Sequence, residues 1–319
     1  MRRAASYLPS RYDLALWGGA LLAFFLFPKY LSLATTAAIM ALFALSLDLA
    51  LGYGGIATLG HAAFFGVGAY AAALCALHLS AEPLGGLAAA GGAAAVAGLL
   101  SGALILRTRG LTLMMLTLAI ASMLQEFATV AKGLTGGDDG LSGYKIAPLL
   151  GLFRFDLASR TAYLYSLAVL LAAFLLCRVI VNSPFGLTVQ GIHQNPVRMR
   201  LLGVPVTLRL LTLYTVSAAL AGVAGGLTAQ VTGMASVDNL AFSLSGNVLI
   251  MLVLGGVGRL YGAICGAVVF VIFSDRAAAI DPFNWLFALG GLMILVVRFA
   301  PEGLVGLGQT LSGRWRRPG

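Results

Sequence analysis

Four polar side chains that could take part in binding or proton transfer lie within or beside apolar runs of this sequence: Asp48, His61, Gln125 and Glu126. A charged group at membrane depth is costly, so it usually faces a cavity, a partner or water. His61 could carry a proton, but no second histidine or carboxylate stands at relay spacing. We therefore expect it to donate a hydrogen bond that fixes the neighbouring glycine turn. Gln125 and Glu126 are open to three interpretations: they line a substrate path, face water at a helix end, or contact another subunit.

The sequence patterns of an enzyme are missing. There is no G-x-x-x-x-G-K-[ST] phosphate loop, so we expect that this chain does not hydrolyse ATP itself. The three cysteines, Cys75, Cys177 and Cys265, each lie inside an apolar run without metal-ligand spacing, as small buried hydrophobic residues do. No nucleophile stands beside a base. We expect no catalytic residue, no metal and no cofactor in this chain.

Composition indicates a membrane protein. Hydrophobic residues make up 60% of the 319 residues, charged residues 10%, and the mean hydropathy is +0.96. A soluble domain has about 25% charged residues, because it must cover its surface. We predict one all-α, polytopic membrane domain over 1–319. The net charge of +9 does not indicate nucleic-acid binding, because the basic residues are scattered between apolar runs instead of forming a stripe.

Hydropathy and charge predict the topology. Candidate spans, at about 20 residues for a full crossing, are 14–27, 31–51, 61–79, 84–106, 111–131, 161–181, 210–232 and 283–299. The stretch 243–273 is too long for one helix and is interrupted by "GGVGRLYG", so we predict two crossings there. Ten spans with both termini inside place 14 Lys or Arg inside and 6 outside, as the positive-inside rule prefers. The run 14–27 lacks a small-residue cleavage site after it, so we interpret it as a retained span.

Two loops stand out in this topology. The outer loop, 132–160, contains "KGLTGGDDGLSGYK", whose glycines and paired aspartates indicate a turn-rich element facing water. The inner loop, 182–209, is the longest on its side. Its centre predicts a short helix capped by Asn195, with Pro196 in the first turn and Gly203 after the end.

Glycines occur in two patterns. Those in "GGLAAAGGAAAVAGLLSGA" (85–103) and "SAALAGVAGG" (217–226) suit close helix packing. In "LALGYGGIATLGHAAFFGVGAY" (49–70) they cluster instead, which predicts a helix break at membrane depth that other protein or a water path must satisfy. "LALGYGG" at residue 49 also resembles "LVLGGVG" at residue 252. Transporters often have paired broken helices, so we predict a second break there.

Five segments in order resemble the LivM-type permeases of branched-chain amino-acid ABC importers. They are "LALGYGGIATLGHAAFFGVGAYAAAL", "RTRGLTLMMLTLA", "LTGGDDGLSG", "NPVRMRLLGVPVTLRLLTLYTVSAALAGVAGGL" and "VLIMLVLGGVGRLYGAICGAV". The likeness covers about residues 30 to 307. It implies a multi-pass subunit of the bacterial inner membrane that pairs with a homologous LivH-type permease. It also implies two cytoplasmic ATPases that use the ATP, and a periplasmic solute-binding protein.

The resemblance also implies roles by position. The cytoplasmic ATPase-coupling loop contributes Gln194, Asn195, Pro196, Arg198, Leu202 and Gly203. Relatives usually have an acidic residue near Gln194 and a small one near Arg200, so this contact differs here. The translocation path or helix breaks contribute Gly52, Gly54, Gly55, Gly60, His61, Phe64, Phe65, Gly255, Gly256 and Gly258. The periplasmic loop contributes Thr135, Gly136, Gly137, Asp138, Asp139 and Gly140.

Alternatives remain open for the transported substrate and for the class of membrane protein. Relatives of this family transport urea, short amides or aromatic acids, and the binding protein selects first, so branched-chain amino acids lead only by resemblance. A secondary transporter driven by an ion gradient would need paired carboxylates or a proton relay in the spans, which the sparse set above does not provide. A structural scaffold would not need the long inner loop with a capped helix.

Overall fold

The computed structural model describes residues 11–26, 28–108, 110–144, 146–148, 159–282, 284–299, 303–304 and 306. Its helices are α1 (Arg11–Leu26), α2 (Leu31–Asp48), α3 (Ala62–His78), α4 (Pro83–Ile105), α5 (Leu111–Val130), α6 (Lys132–Thr135), α7 (Arg160–Asn182), α8 (Pro184–Gln194), α9 (Pro196–Leu201), α10 (Val206–Thr232), α11 (Phe242–Gly255), α12 (Leu260–Ile280) and α13 (Trp285–Phe299). Two short strands are β1 (Leu141–Ser142) and β2 (Met234–Ala235). The predicted outer-loop residues 149–158 and both chain ends lie outside the described residues.

Six helices are long and apolar enough to cross a membrane: α2 with its flanking turns, α4, α5, α7, α10 and α12. Four shorter apolar helices lie in α1, α3, α11 and α13. The stretch 243–273 forms two helices, α11 and α12, as its interruption predicts. At about 1.5 Å per residue, the 14 residues of α11 span roughly 21 Å, which is less than the ~30 Å hydrocarbon core. The total of ten crossings and the inside position of both termini stay predictions.

The core is built around α2. Thirteen of its 18 residues are buried, so its apolar side chains contact protein on every side, as expected for a helix that is hydrophobic all round. Leu42, Phe43 and Leu45 are fully buried. Around α2 stand α7, α10, α11 and α12. A movement of α7, α10, α11 or α12 therefore takes place against α2.

Small residues bring α3, α4 and α10 close together. A Cβ added at Gly68 of α3 would meet the backbone of Gly222 in α10, and one at Gly98 of α4 would meet the side chain of Ala218. Close backbone approach replaces the hydrophobic drive that lipid does not supply. The packing interpretation is confirmed for most glycines of the runs 85–103 and 217–226, but a Cβ added at Gly85 or Gly92 would meet no atom within 4 Å.

A compact element covers one end of this group. Strand β1 pairs antiparallel with β2, Leu141 opposite Ala235, and the 3-10 turn Val237–Leu240 packs against α3. The hydroxyl of Tyr144 donates to the carbonyl oxygen of Ala229 in α10 at 2.7 Å. The loop before α7 is thus fixed to the end of α10.

Candidate functional site

An irregular segment joins α2 to α3 inside the protein. After Asp48 the chain continues as a π-helical turn, Leu49–Tyr53, and then runs without regular structure to residue 61. Gly52 therefore lies within a helical turn, and the helix break that the sequence predicted begins at Gly54. Residues 54 to 56 still donate back into the turn, with Gly55 bonded to Leu51 at 3.0 Å and Ile56 to Ala50 at 2.9 Å.

Side chains from other helices satisfy the backbone that the break sets free. The Leu59 N–H donates to Thr117 Oγ1 of α5 at 3.2 Å, and the Ala62 N–H at the start of α3 donates to Ser245 Oγ of α11 at 2.9 Å. Gly60 lies directly against the backbone of Thr117, with no room for a Cβ. An irregular backbone at membrane depth requires such partners. Hydrogen bonds to α5 and α11 therefore stabilise the irregular backbone of the break.

His61 makes a buried hydrogen bond, but its partner lies in α2 and not in the glycine turn that the sequence predicted it to fix. Its ring is fully buried, and Nε2 lies 2.9 Å from Ser46 Oγ. The Ser46 hydroxyl donates its single hydrogen to Phe43 O at 2.6 Å, so Nε2 of His61 is the donor toward Ser46. The ring also stacks on Phe43 at 5.5 Å between centroids. This bond ties the far end of the break to α2.

Phe64 and Phe65 follow His61 in the first turn of α3. Both side chains are fully buried, Phe64 against Tyr214 of α10 and Phe65 against Phe43 of α2. In this conformation both rings are part of the core of the chain. Asp48 and His61 are also fully buried, whereas Gln125 is half-buried and Glu126 exposed on α5.

The two glycine segments that resemble each other meet in space. Asp48 Oδ1 accepts the backbone N–H of Gly258 at 2.7 Å, across 210 residues of sequence. A Cβ at Gly52 would lie 2.6 Å from the same nitrogen. The second segment also has left-handed backbone at Gly256 (φ +112°) and Gly258 (φ +75°), and Gly255 lies against the backbone of Gly262 in α12. Sequence reasoning missed this bond, although Gly258 lies in one of the two resembling segments and Asp48 directly before the other.

The predicted coupling segment is folded as two short capped helices. Asn195 Oδ1 accepts the Arg198 N–H at 3.0 Å, Pro196 is the first helical residue of α9, and Gly203 follows with φ +79°. This confirms the predicted helix. The sequence did not lead us to α8, whose cap is Ser183 Oγ accepting from the Gly186 N–H at 3.2 Å.

The coupling segment lies directly against the break. A Cβ added at Gly55 would lie 2.8 Å from Cδ2 of His193, the penultimate residue of α8. Beside this contact is a cavity of about 230 Å³. It is lined by Gly54, Gly55, Ile56, Ala57, Leu106, Thr108, Gly110, Leu113, Ile192, His193, Pro196, Arg200, Val206, Thr207 and Leu210. Break and coupling segment share one end of the molecule.

The predicted outer-loop residues form a tight turn at the end of α5. Thr135 Oγ1 donates to Ala128 O, and Gly136, Gly137 and Gly140 all have positive φ. Asp138 and Asp139 are exposed on the 3-10 turn between them. Behind this turn, burial raises the pKa of the Tyr144 phenol to about 12, because the charged form would lose its hydration.

Comparison with known proteins identifies the family. The family described as "Branched-chain amino acid transport system / permease component" matches residues 29–297. The high-affinity branched-chain amino acid transport system permease proteins LivM of Salmonella typhimurium (strain LT2) and Escherichia coli (strain K12) are each 30% identical over 294 residues, covering 86% of this chain and 69% of the relative. The galactose/methyl galactoside import permease protein MglC of Salmonella typhimurium is 27% identical over 194 residues, 58% of this chain and 55% of that protein.

No solved structure matches the chain. The family model covers most of the sequence, including both glycine segments, the two capped helices and the outer turn. The chain therefore belongs to the permease components of branched-chain amino acid ABC transport systems, which are proteins of the inner membrane.

Proposed function

We propose that α8, α9 and the turn at Gly203 form the contact through which ATPase subunits drive this permease. The segment is folded without a partner, because both helices are capped and Val189 and Ile192 of α8 are buried against the body of the protein. Beyond them the chain presents apolar side chains to the outside, with Leu201 84% and Leu202 71% exposed. A preformed element with exposed apolar side chains is suited to docking.

One observation carries this proposal: the contact between His193 and Gly55. Motion of α8 pushes the imidazole ring against the first residues of the break. From the break, hydrogen bonds reach α5 through Thr117 and α11 through Ser245. A displacement applied at α9 therefore has a continuous packed route to two further helices, α5 and α11.

The docking role is tested by Leu202→Asp. We expect ATP-driven uptake to fall at least about tenfold, because a charged side chain replaces an apolar anchor at the interface, while the amount of inserted protein stays unchanged. Leu79→Asp is the matched control, since Leu79 is 84% exposed in the turn after α3. Normal uptake by well-inserted Leu202→Asp would refute the assignment.

We further propose that α5 faces the second, homologous permease across the substrate path. Leu111, Met115, Met123 and Phe127 of α5 are exposed. Near the end of the same helix Gln125 is half-buried and Glu126 exposed. Lipid does not favour a charged side chain in a spanning helix, so a partner subunit or a watered path suits this face. A cysteine at Met123 that cross-links to the second permease would support this orientation. Cross-linking only from a cysteine at Leu175, which is exposed on α7, would contradict it.

The outer turn is our candidate for the contact with the periplasmic binding protein. Asp138 and Asp139 are exposed on a 3-10 turn between glycines. Paired charges at an exposed rim influence the encounter rate and its salt dependence. For Asp138→Asn with Asp139→Asn, we expect binding-protein docking to weaken severalfold and to lose much of its dependence on ionic strength. Asn preserves the turn chemistry. Docking that matches the parent at low and high salt would leave the aspartates a turn-forming role only.

We propose branched-chain amino acids as the substrates. Support comes from the two LivM proteins, which match this chain at higher identity and over a larger share than the galactoside permease does. Uptake of labelled leucine by the reconstituted importer, with galactose and urea as competitors, tests the assignment. Leucine uptake that an excess of either competitor abolishes would overturn it.

A further inference from the structure

The coupling segment has charges of one sign. Residues 182–209 contain His193, Arg198, Arg200 and Arg209 but no aspartate or glutamate. Arg209 lies over the ring of Phe185, 5.6 Å from its centroid. Arg198 and Arg200 are exposed on α9, and within the described part of the chain neither pairs with a carboxylate. Two guanidinium groups are thus available on the surface proposed to dock.

Apolar side chains alternate with these arginines. Val197 is exposed, and so are Leu201 and Leu202 at the end of the helix. We call the set Val197, Arg198, Arg200, Leu201 and Leu202 the α9 surface. Exposed leucines flanked by arginines have the arrangement of a protein interface, with an apolar centre and a polar rim. Arginine is also favoured at such rims because its planar fork pairs with carboxylates through two hydrogen bonds.

The predicted inner side of the chain has few acidic residues. In the predicted topology the inner segments contain 14 Lys or Arg, and their only acidic residues are Asp13 and Glu302. Asp48 is buried in the core, where Gly258 uses one of its oxygens. A partner that approaches the α9 surface therefore meets an uncompensated positive field.

We propose that the α9 surface selects an ATPase subunit whose docking cleft has aspartate or glutamate side chains around an apolar floor. This inference rests on the proposed function, because it describes the partner of the same docking site. Opposite charges at the rim accelerate and orient docking, while a basic cleft would repel the arginines. The arginines thus distinguish between ATPases of similar shape, and the leucines supply contact area common to all of them.

The test measures how much ATPase remains bound to tagged permease in the purified, assembled importer, at roughly 0.05 M and 0.5 M salt. We expect Arg198→Glu with Arg200→Glu to reduce the bound ATPase about tenfold or more at low salt. Arg198→Lys with Arg200→Lys keeps the charge and should stay within about twofold of the parent. Arg298→Glu is the control, because Arg298 is exposed in the last turn of α13, which packs on α11 and α12.

Three outcomes would overturn the inference, and they differ from one another. If the double glutamate variant keeps its ATPase while Leu202→Asp loses it, the docking site stands but its partner is not acidic. If both variants keep their ATPase, the docking assignment itself fails. If the glutamate variant keeps its ATPase but loses binding to vesicles of anionic phospholipid, the arginines bind lipid head groups. Loss of ATPase by the glutamate variant with retention by the lysine variant and the control supports the proposal.

Discussion

Gly68, Gly222 and Gly225 lie inside regular helices, whereas Gly52, Gly55 and Gly258 lie at the two irregular segments. In the first group an added Cβ would strike the backbone of a neighbouring membrane helix. In the second group Gly55 and Gly258 have left-handed backbone, and their neighbours are His193 of α8 and the turn at Gly52. The first group brings helices together, while the second joins the break to α8 of the proposed docking site and to the second irregular segment.

The comparison shows that crowding alone does not reveal what a glycine does. A packing glycine stabilises the folded chain, so its replacement should reduce the amount of protein. A glycine at the break sets the path of the backbone, so its replacement should leave the helices packed and disturb the transmission of movement. Amount of folded protein and transport per folded protein are therefore separate measurements that distinguish the two groups.

The largest expected effect is in the packing group. In Gly225→Ala the new Cβ overlaps the carbonyl oxygen of Phe65 in α3, and overpacking of this kind costs about 1–3 kcal/mol or more. We expect a large loss of folded, monodisperse protein after extraction, with unchanged uptake per remaining molecule. Gly92→Ala is the matched control on α4, where no atom lies within 4 Å. Equal yields for both variants would contradict the packing role.

A smaller effect on stability, with a large effect on transport, is expected for Gly55→Ala. The left-handed backbone costs a residue with a Cβ about 1–2 kcal/mol, and the methyl group displaces the His193 ring. Protein yield should stay near the parent value while ATP-driven uptake falls at least about fivefold. The double variant Gly55→Ala with His193→Ala removes the overlap and should recover part of the uptake. If His193→Ala does not change the uptake of the Gly55→Ala variant, the two residues are not coupled.

The smallest effect is expected for Asp48→Asn, at the place where the two irregular segments touch. Asp48→Asn retains an oxygen that can accept the Gly258 N–H, so we expect less than about 1 kcal/mol of lost stability. Asp48→Leu leaves that N–H without its acceptor, which costs about 1–3 kcal/mol. The thermal midpoint of the purified protein measures both changes. If Asn and Leu lower the midpoint equally, the negative charge matters more than the hydrogen bond.

Local signals predicted local structure well. Asn195, Pro196 and Gly203 marked the ends of α9 because a cap, a first-turn proline and a left-handed glycine each act within a few residues. Ser183 and Pro184 have the same pattern at α8 and would have predicted that helix too. The division of 243–273 into α11 and α12 also followed from the glycines between them.

The sequence did not predict the contacts between residues that are distant along the chain. The bond from Gly258 to Asp48 and the contact of His193 with Gly55 join parts of the chain that no local pattern relates. Gly52 was expected at the break, yet the hydrogen bonds of a π-helical turn carry the helix past it. Glycine lowers helix propensity only by about 1 kcal/mol, so packing against Gly258 decides the local geometry.

The order of synthesis gives the bond between Asp48 and Gly258 a further meaning. The ribosome adds about 5–20 residues per second, and these two residues are 210 positions apart, so Asp48 waits roughly 10–40 s for its partner. The helix before it, α2, lies in the most buried of the six long spans, and most of the helices that will cover it are made later. During that interval the carboxyl needs a proton or a protected place at the insertion machinery. The most central helix of this permease is thus among the first to enter the membrane and among the last to be complete.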